Sequence, residues 1–157
     1  MAKKITPYLW FDTEGEEAAN FYTSIFPNSK VTDISHYGPD TPRAEGMVMT
    51  VSFELDGNEF VALNGGPEFK FNEAISFQVD CADQDEVDRY WSKLSEGGEE
   101  GPCGWLKDRF GVSWQIVPTR LFELLSDPDR EKSQRAMQAM LKMGKIEIDE
   151  LERAAAA

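Results

Sequence analysis

ITPYLWFDTEGEEAANFYTSIF (residues 5–26) and AISFQVDCADQDEVDRYWSKLS (residues 74–95) decide the fold between them. Each opens on a short run rich in β-formers, 5–11 and 74–80, and then changes to a helical period. In the first, Thr13 followed by Glu16 has the spacing of a capping box. Ala18, Tyr22, Ile25 and Phe26 then mark one helical face, so a helix is predicted over 14–26, ending before Pro27. In the second, Asp83 with Glu86 three residues on starts a helix that carries Val87, Tyr90, Trp91 and Leu94 on one side and ends at Gly97 and Gly98. Laid over one another at an offset of 69, the stretches match in kind: Tyr8 with Phe77, Glu17 with Glu86, Phe21 with Tyr90, Tyr22 with Trp91, Ile25 with Leu94. This is an internal duplication whose period is too long for a solenoid, and it implies two similar modules.

Working outward, three strands are expected after the first helix, over 30–37, 47–55 and 58–64, with Asp56-Gly57 as the hairpin turn between the last two. The second module repeats the order with 99–103, 105–110 and 113–118, hinged at Gly111. Each module is thus βαβββ. A ferredoxin-like βαββαβ plan, the second choice, needs two strands between the helices where four are counted. From 119 the chain reads as helical, over 120–125 and then 128–143, with Asp127 as N-cap and Pro128 at the first helical position. Met137, Met140, Leu141 and Met143 give that segment an apolar side suited to core or interface packing, and Ala154 to Ala157 is expected to fray. The fold class is therefore α+β: paired βαβββ modules, about 1–66 and 72–118, with a helical tail over 119–157, all in one domain.

Composition bounds the function. Of 157 residues, 41% are hydrophobic, including 10 Phe, 4 Trp and 4 Tyr, which is enough for a core of one domain. No apolar run approaches the roughly 18 residues of a membrane span, and MAKKITPYLWFD lacks a signal-peptide core, so a soluble cytoplasmic protein with no membrane partner is expected. Cys81 and Cys103 are too few for a disulfide framework or a four-cysteine zinc site, and reduced thiols are expected. Sixteen basic against 29 acidic residues give a net charge of −13, which repels phosphates, excludes nucleic acid as a partner and leaves a mild bias toward cations.

Alternation assigns the strand faces. Met47, Met49, Val51, Phe53 and Leu55 oppose Thr50 and Ser52; Ile75, Phe77 and Val79 oppose Ser76 and Gln78; Gln115 opposes Trp114 and Ile116; Asn64 is in phase with Phe60 and Ala62. The polar, uncharged face that results is either the wet side of an antiparallel sheet or a ligand cleft formed as the two sheets curl together. Trp105 is the best placed of the four tryptophans for ligand contact. Cys103, between Pro102 and Gly104, is the candidate nucleophile if its thiol faces the cleft, against a plain structural role. His36, the sole histidine, lies on the edge-like strand 30–37, where a surface role outweighs ligation. Lys107, Asp108 and Arg109 read as surface charge in a hairpin.

The paired βαβββ plan, the helix carrying Asn20-Phe21-Tyr22 and the strand-turn-strand KDRFGVSWQI (107–116) resemble the vicinal oxygen chelate superfamily of glyoxalase, extradiol dioxygenase and bleomycin-resistance proteins. The runs LNGGPEFKFNEAISFQVDC (63–81) and CGWLKDRFGVSWQIVPT (103–119) are similar to its PhnB-like branch, often labelled demethylubiquinone 3-methyltransferase, and with the tail the likeness covers nearly the whole chain. The resemblance implies metal-ligand positions at Ile5 or Pro7, Ala62, Ala74 and Gln115. Only Gln115 offers an oxygen there, so no metal and no cofactor are expected. Methyl-donor and dinucleotide folds need a Gly-rich strand-to-helix turn, whereas Gly97, Gly98, Gly101 and Gly104 follow a helix, and Gly65 and Gly66 leave a strand for a loop. The expected function is metal-independent binding of a neutral or cationic small molecule by Asn64, Gln115, Gln78, Ser76, Thr50, Ser52 and Trp105. The alternative is an enzyme using Cys103, Gln115 and Asn64 in thiol or acid-base chemistry on a carbonyl or quinone; a third reading is a dimerising protein with no ligand. A homodimer is expected, because paired modules of this superfamily share sheets between chains and the Met stripe is apolar.

Overall fold

Leu9 and Phe11 alternate with Tyr8 and Trp10, and this two-residue period makes Tyr8–Phe11 the first strand, β1, of a computed structural model that describes residues 4–157. The chain divides into two compact units, to Lys70 and from Phe71. In the first, β1 is followed by α1 (Gly15–Ile25), β2 (Lys30–His36), β3 (Val48–Leu55) and β4 (Asn58–Asn64). The sheet order is β1-β4-β3-β2, with β1 parallel to β4 and the other pairs antiparallel. Asp56 and Gly57 both have positive φ, 48° and 78°, as the two-residue hairpin between β3 and β4 requires.

Tyr22 of α1 stacks on Phe53, with ring centroids 6.2 Å apart, and Phe53 on Phe60 at 5.5 Å. These contacts identify the covered sheet face as the one bearing Leu9, Phe11, Val51, Phe53, Leu55 and Ala62, all buried. Burying a ring such as Tyr22 or Phe53 contributes about 2 kcal/mol. The capping box expected at Thr13 and Glu16 does not form. Glu14 is the N-cap residue without a side-chain cap bond, and the first helical N–H, from Gly15, donates instead to Asn64 Oδ1 at 2.8 Å.

The second unit repeats the plan with β5 (Ser76–Cys81), α2 (Gln84–Ser95), β6 (Glu99–Glu100), β7 (Trp105–Lys107) and β8 (Ser113–Pro118), in the order β5-β8-β7-β6. The parallel outer pair matches the first unit, as the duplication requires. Asp83 caps α2 as expected, accepting the Glu86 N–H at 2.9 Å. Strand 99–103 is cut to Glu99–Glu100 by the turn at Pro102–Gly104, where Cys103 and Gly104 have positive φ, and 105–110 ends at Lys107 because Asp108 turns the chain there. Far from being surface charge, Asp108 is 2% exposed and accepts the main-chain N–H groups of Phe110 (2.9 Å) and Val112 (3.1 Å) and the Trp114 indole N–H (2.9 Å).

The tail forms α3 (Thr119–Leu125), α4 (Arg130–Met140) and α5 (Ile148–Ala156) around a cluster of Val117, Leu121, Leu124, Ala136, Met143, Ile146, Leu151 and Ala155. Two expectations are corrected here. The cap of α4 is Asp129, which accepts the Glu131 and Lys132 N–H groups, while Asp127 accepts the N–H of Asp129. The terminal alanines are helical to Ala156, because Ala155 is buried and Arg135 donates to the carbonyls of Ala154 (3.1 Å) and Ala155 (2.7 Å). The Met stripe divides: Met143 is in the cluster, whereas Met137 and Leu141 are exposed. No helix among the described residues is long and apolar enough to cross a membrane.

Candidate functional site

On the second sheet, α2 covers the face of Trp114 and Ile116, so the opposite face carries Ser76, Gln78, Gln115, Trp105 and Lys107. Register brings four of the sequence-predicted residues together here. Gln115 lies between Gln78 on β5 and Trp105 on β7, and its amide donates to the Ser76 hydroxyl at 2.9 Å. Gln78 donates to Asp80 Oδ1 at 2.8 Å. The tryptophans differ in how their indole N–H groups are satisfied: Trp10 donates to Gly66 O, Trp91 to Glu100 Oε1 and Trp114 to Asp108 Oδ2, each at 2.9 Å. Trp105, half-buried, donates to no described residue.

Trp105 lines a cavity of about 580 Å³ in the second unit. Pro102, Cys103 and Leu106 share its apolar wall, and Glu73, Glu99, Glu100 and Lys107 supply charge. Lys107 pairs with Glu73; the pairing holds the carboxyl below and the ammonium above their ordinary pKa values. Neither this charged rim nor the buried Ser113 was singled out by the sequence reading. Alternation along β8 places Ser113 in the row of Gln115, and its hydroxyl is the one buried side-chain polar atom among the described residues with no partner.

Cys103 has φ of 58°, a left-handed conformation held by its N–H donating to Met143 O at 2.7 Å and by Gly104 N–H donating to Gly144 O at 2.8 Å. The tail therefore fixes one wall of the cavity. Cys81 is fully buried, and loss of water, reinforced by Glu86, Asp80 and Asp83, pushes its thiol up to about 12.

In the first unit the residues are dispersed. Thr50 and Ser35 hydroxyls meet at 2.5 Å, and Ser52 lines a separate 470 Å³ cavity with Tyr8, Asp33, Glu54 and Glu59. Asn64 does not share their face. It is 2% exposed beneath α1, accepting the Gly15 N–H and donating to Val48 O at 3.1 Å. Ala62, one of the metal-ligand positions, is turned the same way. His36 is exposed at the end of edge strand β2.

The donor set does not fit a divalent metal. Ile5 or Pro7, Ala62 and Ala74 have no ligating atom, the Gln115 amide is engaged with Ser76, and no group of three or more His, Cys, Asp or Glu among the described residues could hold an ion.

Two βαβββ units with matching strand order, each a four-stranded sheet under one helix, define the glyoxalase-like (vicinal oxygen chelate) class. A family profile described as 3-demethylubiquinone-9 3-methyltransferase matches residues 3–117, and the chain belongs to that PhnB-like family. Among solved structures, a protein from Bacillus cereus described as a putative 3-demethylubiquinone-9 3-methyltransferase, PhnB protein, is 36% identical, with TM-score 0.67 over 74% of this chain and 100% of that one. Protein PA1353 from Pseudomonas aeruginosa is 21% identical, TM-score 0.61, over 74% and 98%. The fosfomycin resistance protein FosX from Mesorhizobium loti shares the fold at 11% identity, TM-score 0.53, over 74% and 90%. No curated protein matches the sequence. The family match ends at residue 117, before the helical tail. The family description names methyl transfer, but the strand-to-helix turns do not fit a methyl donor. The turn before α2, Ala82-Asp83, has no glycine, and the first N–H of α1 is occupied by Asn64.

Proposed function

We propose that this chain is a metal-independent small-molecule binding protein, with the second unit's open sheet face and adjoining cavity as its site. The ligand is neutral or cationic, with aromatic or amphipathic character. Trp105 carries the reading: it is half-buried in a cavity wall with its indole N–H unpaired, while Trp10, Trp91 and Trp114 are each hydrogen-bonded. A cavity of about 580 Å³ is within the range of small-molecule sites. Gln115 and Ser76 add a paired amide and hydroxyl that donate and accept without demanding charge. Thr50 and Ser52 offer the same chemistry on the first sheet. Asn64 is left out, since both ends of its amide serve the fold. The two modules and tail act as one glyoxalase-like domain, in the cytoplasm, as a homodimer.

The test is a fragment screen by thermal shift followed by titration of the best hit. Gln115→Leu should weaken its binding by about 1 kcal/mol while leaving the fold of the free protein intact. An unchanged affinity removes Gln115 from the site. Turnover of a carbonyl or quinone by the wild-type chain, abolished in Cys103→Ser, would replace the binding reading by an enzymatic one.

A further inference from the structure

We infer that the cavity beside Trp105 selects an organic cation with an apolar body, its charge at the Glu99–Glu100 rim and its flat or branched hydrocarbon against Trp105 and Pro102. The inference rests on the small-molecule reading above and adds to it the charge of the ligand and the residues that choose it.

Three carboxylates and one ammonium line this space. Glu73 and Lys107 cancel as an ion pair. Glu100 is oriented by the Trp91 indole N–H at 2.9 Å, a neutral donor that fixes the carboxylate without removing its charge. Glu99, opposite Lys107 in the β6–β7 ladder, accepts no hydrogen bond from a described residue but also acts on the Lys107 ammonium, which it shares with Glu73. The rim thus keeps two carboxylates beyond its own cation. A neutral ligand seated against them would strip water from charge and return at most a hydrogen bond, and an anion would be repelled. A cation gains the attraction, together with a cation–π contact to the exposed part of Trp105.

The wall also says which kind of cation. The carboxylates do not converge with any third ligand on a point that could hold a metal ion, so a compact divalent ion is not matched. Spread charges over an apolar wall suit a diffuse ammonium or amidinium on a hydrocarbon frame. Two polar groups on this sheet face make no hydrogen bond to a described residue, and only the first of them lines the cavity. One is the Trp105 indole N–H. The other is the Ser113 hydroxyl, 1% exposed and directly opposite Lys107 in the β7–β8 ladder.

The probes are benzyltrimethylammonium, neutral benzyl alcohol and anionic benzylsulfonate, titrated into the full-length ¹⁵N-labelled chain at 20 mM salt. Amide and indole shifts of residues 99–107 are the readout. The expected result is that the cation binds at least about five-fold tighter than either other probe, moving the Trp105 indole signal, and that Glu99→Gln and Glu100→Gln each weaken it about three-fold. Glu16→Gln, an equal change of net charge on exposed α1, should leave the affinity unchanged. Equal binding of the neutral probe, or equal losses in the Glu16 and Glu99 variants, overturns the inference and leaves the small-molecule reading standing. No shift in residues 99–107 or in Trp105 with any of the three probes at 10 mM overturns both.

Discussion

Cys81 and Cys103 are separated by chemistry as well as by sequence. Cys81 ends β5 under α2, fully buried, with a thiol whose pKa is pushed up to about 12, first by loss of water and then by Glu86, Asp80 and Asp83. At pH 8 such a thiol is ionised to about one part in 10⁴, and the thiolate is the reactive form. Cys103 is half-buried in a cavity wall. Ellman's reagent at pH 8 should therefore modify one thiol quickly, and Cys103→Ser should remove that phase. The second equivalent should appear only in denaturant. Two fast equivalents in the native protein would show that the β5–α2 junction opens readily. Because the folded state holds Cys81 protonated, its contribution to stability is complete below about pH 9 and declines as pH rises from there through about 12.

At the scale of elements, the start of α1 separates what is local from what is not. The capping-box spacing at Thr13 and Glu16 is a local signal, yet the Gly15 N–H donates to Asn64, a partner 49 residues away. Replacing Asn64 by Ala leaves the buried Gly15 N–H without its partner and removes a part-buried bond to Val48 C=O, and should cost about 2–3 kcal/mol in urea unfolding. Thr13→Ala should change stability by less than about 0.5 kcal/mol. The reverse ranking would restore the capping box. The strands, the Asp56-Gly57 hairpin and the Asp83 cap were legible in the sequence, since each depends on neighbours in the chain. The face of Asn64 was legible only in part. A two-residue hairpin pairs Phe53 with Phe60, so even-numbered positions on β4 join odd-numbered ones on β3, and Asn64 goes under the helix with Phe60 and Ala62. Alternation put Gln115 on one face with Ser76 and Gln78, whereas Trp105 drew notice only for its place beside the glycine-rich segment, and the register of β7 with β8 sets it next to Gln115. The rim of Glu73, Glu99 and Glu100 was not, since acidic residues in a chain of this charge look alike until a cavity singles some out. The last helix was missed for a similar reason: a run of alanines frays in isolation, and its buried Leu151 and Ala155 and the Arg135 bonds come from other parts of the fold.

At the scale of the whole molecule, a net charge of −13 acts on association and on ligand binding in opposite directions. Exposed apolar side chains argue for a second copy of the chain: Ile5 and Tyr8 at and before edge strand β1, Ile75 before edge strand β5, and Phe122, Met137 and Leu141 on the tail. Bringing two such chains together costs electrostatic self-repulsion, which counter-ions screen. At about 0.01 M salt the Debye length is near 30 Å and charges across the protein still repel; at 0.15 M it is near 8 Å. The proposed homodimer should therefore form more tightly as salt rises. Light scattering should give about twice the 17.7 kDa chain mass at 0.15 M salt, and dilution at 0.01 M should dissociate the dimer at a higher concentration than dilution at 0.15 M. A mass near that of one chain at high micromolar concentration and 0.15 M salt would rule the dimer out. Cation binding at the Glu99–Glu100 rim has the reverse dependence, because there the same ions screen an attraction. Measuring both across one salt series separates the two uses of the acidic surface. If ligand affinity rose with salt alongside dimerisation, the ligand would be recognising a surface completed by the second chain, and the charge of the rim would not be what selects it.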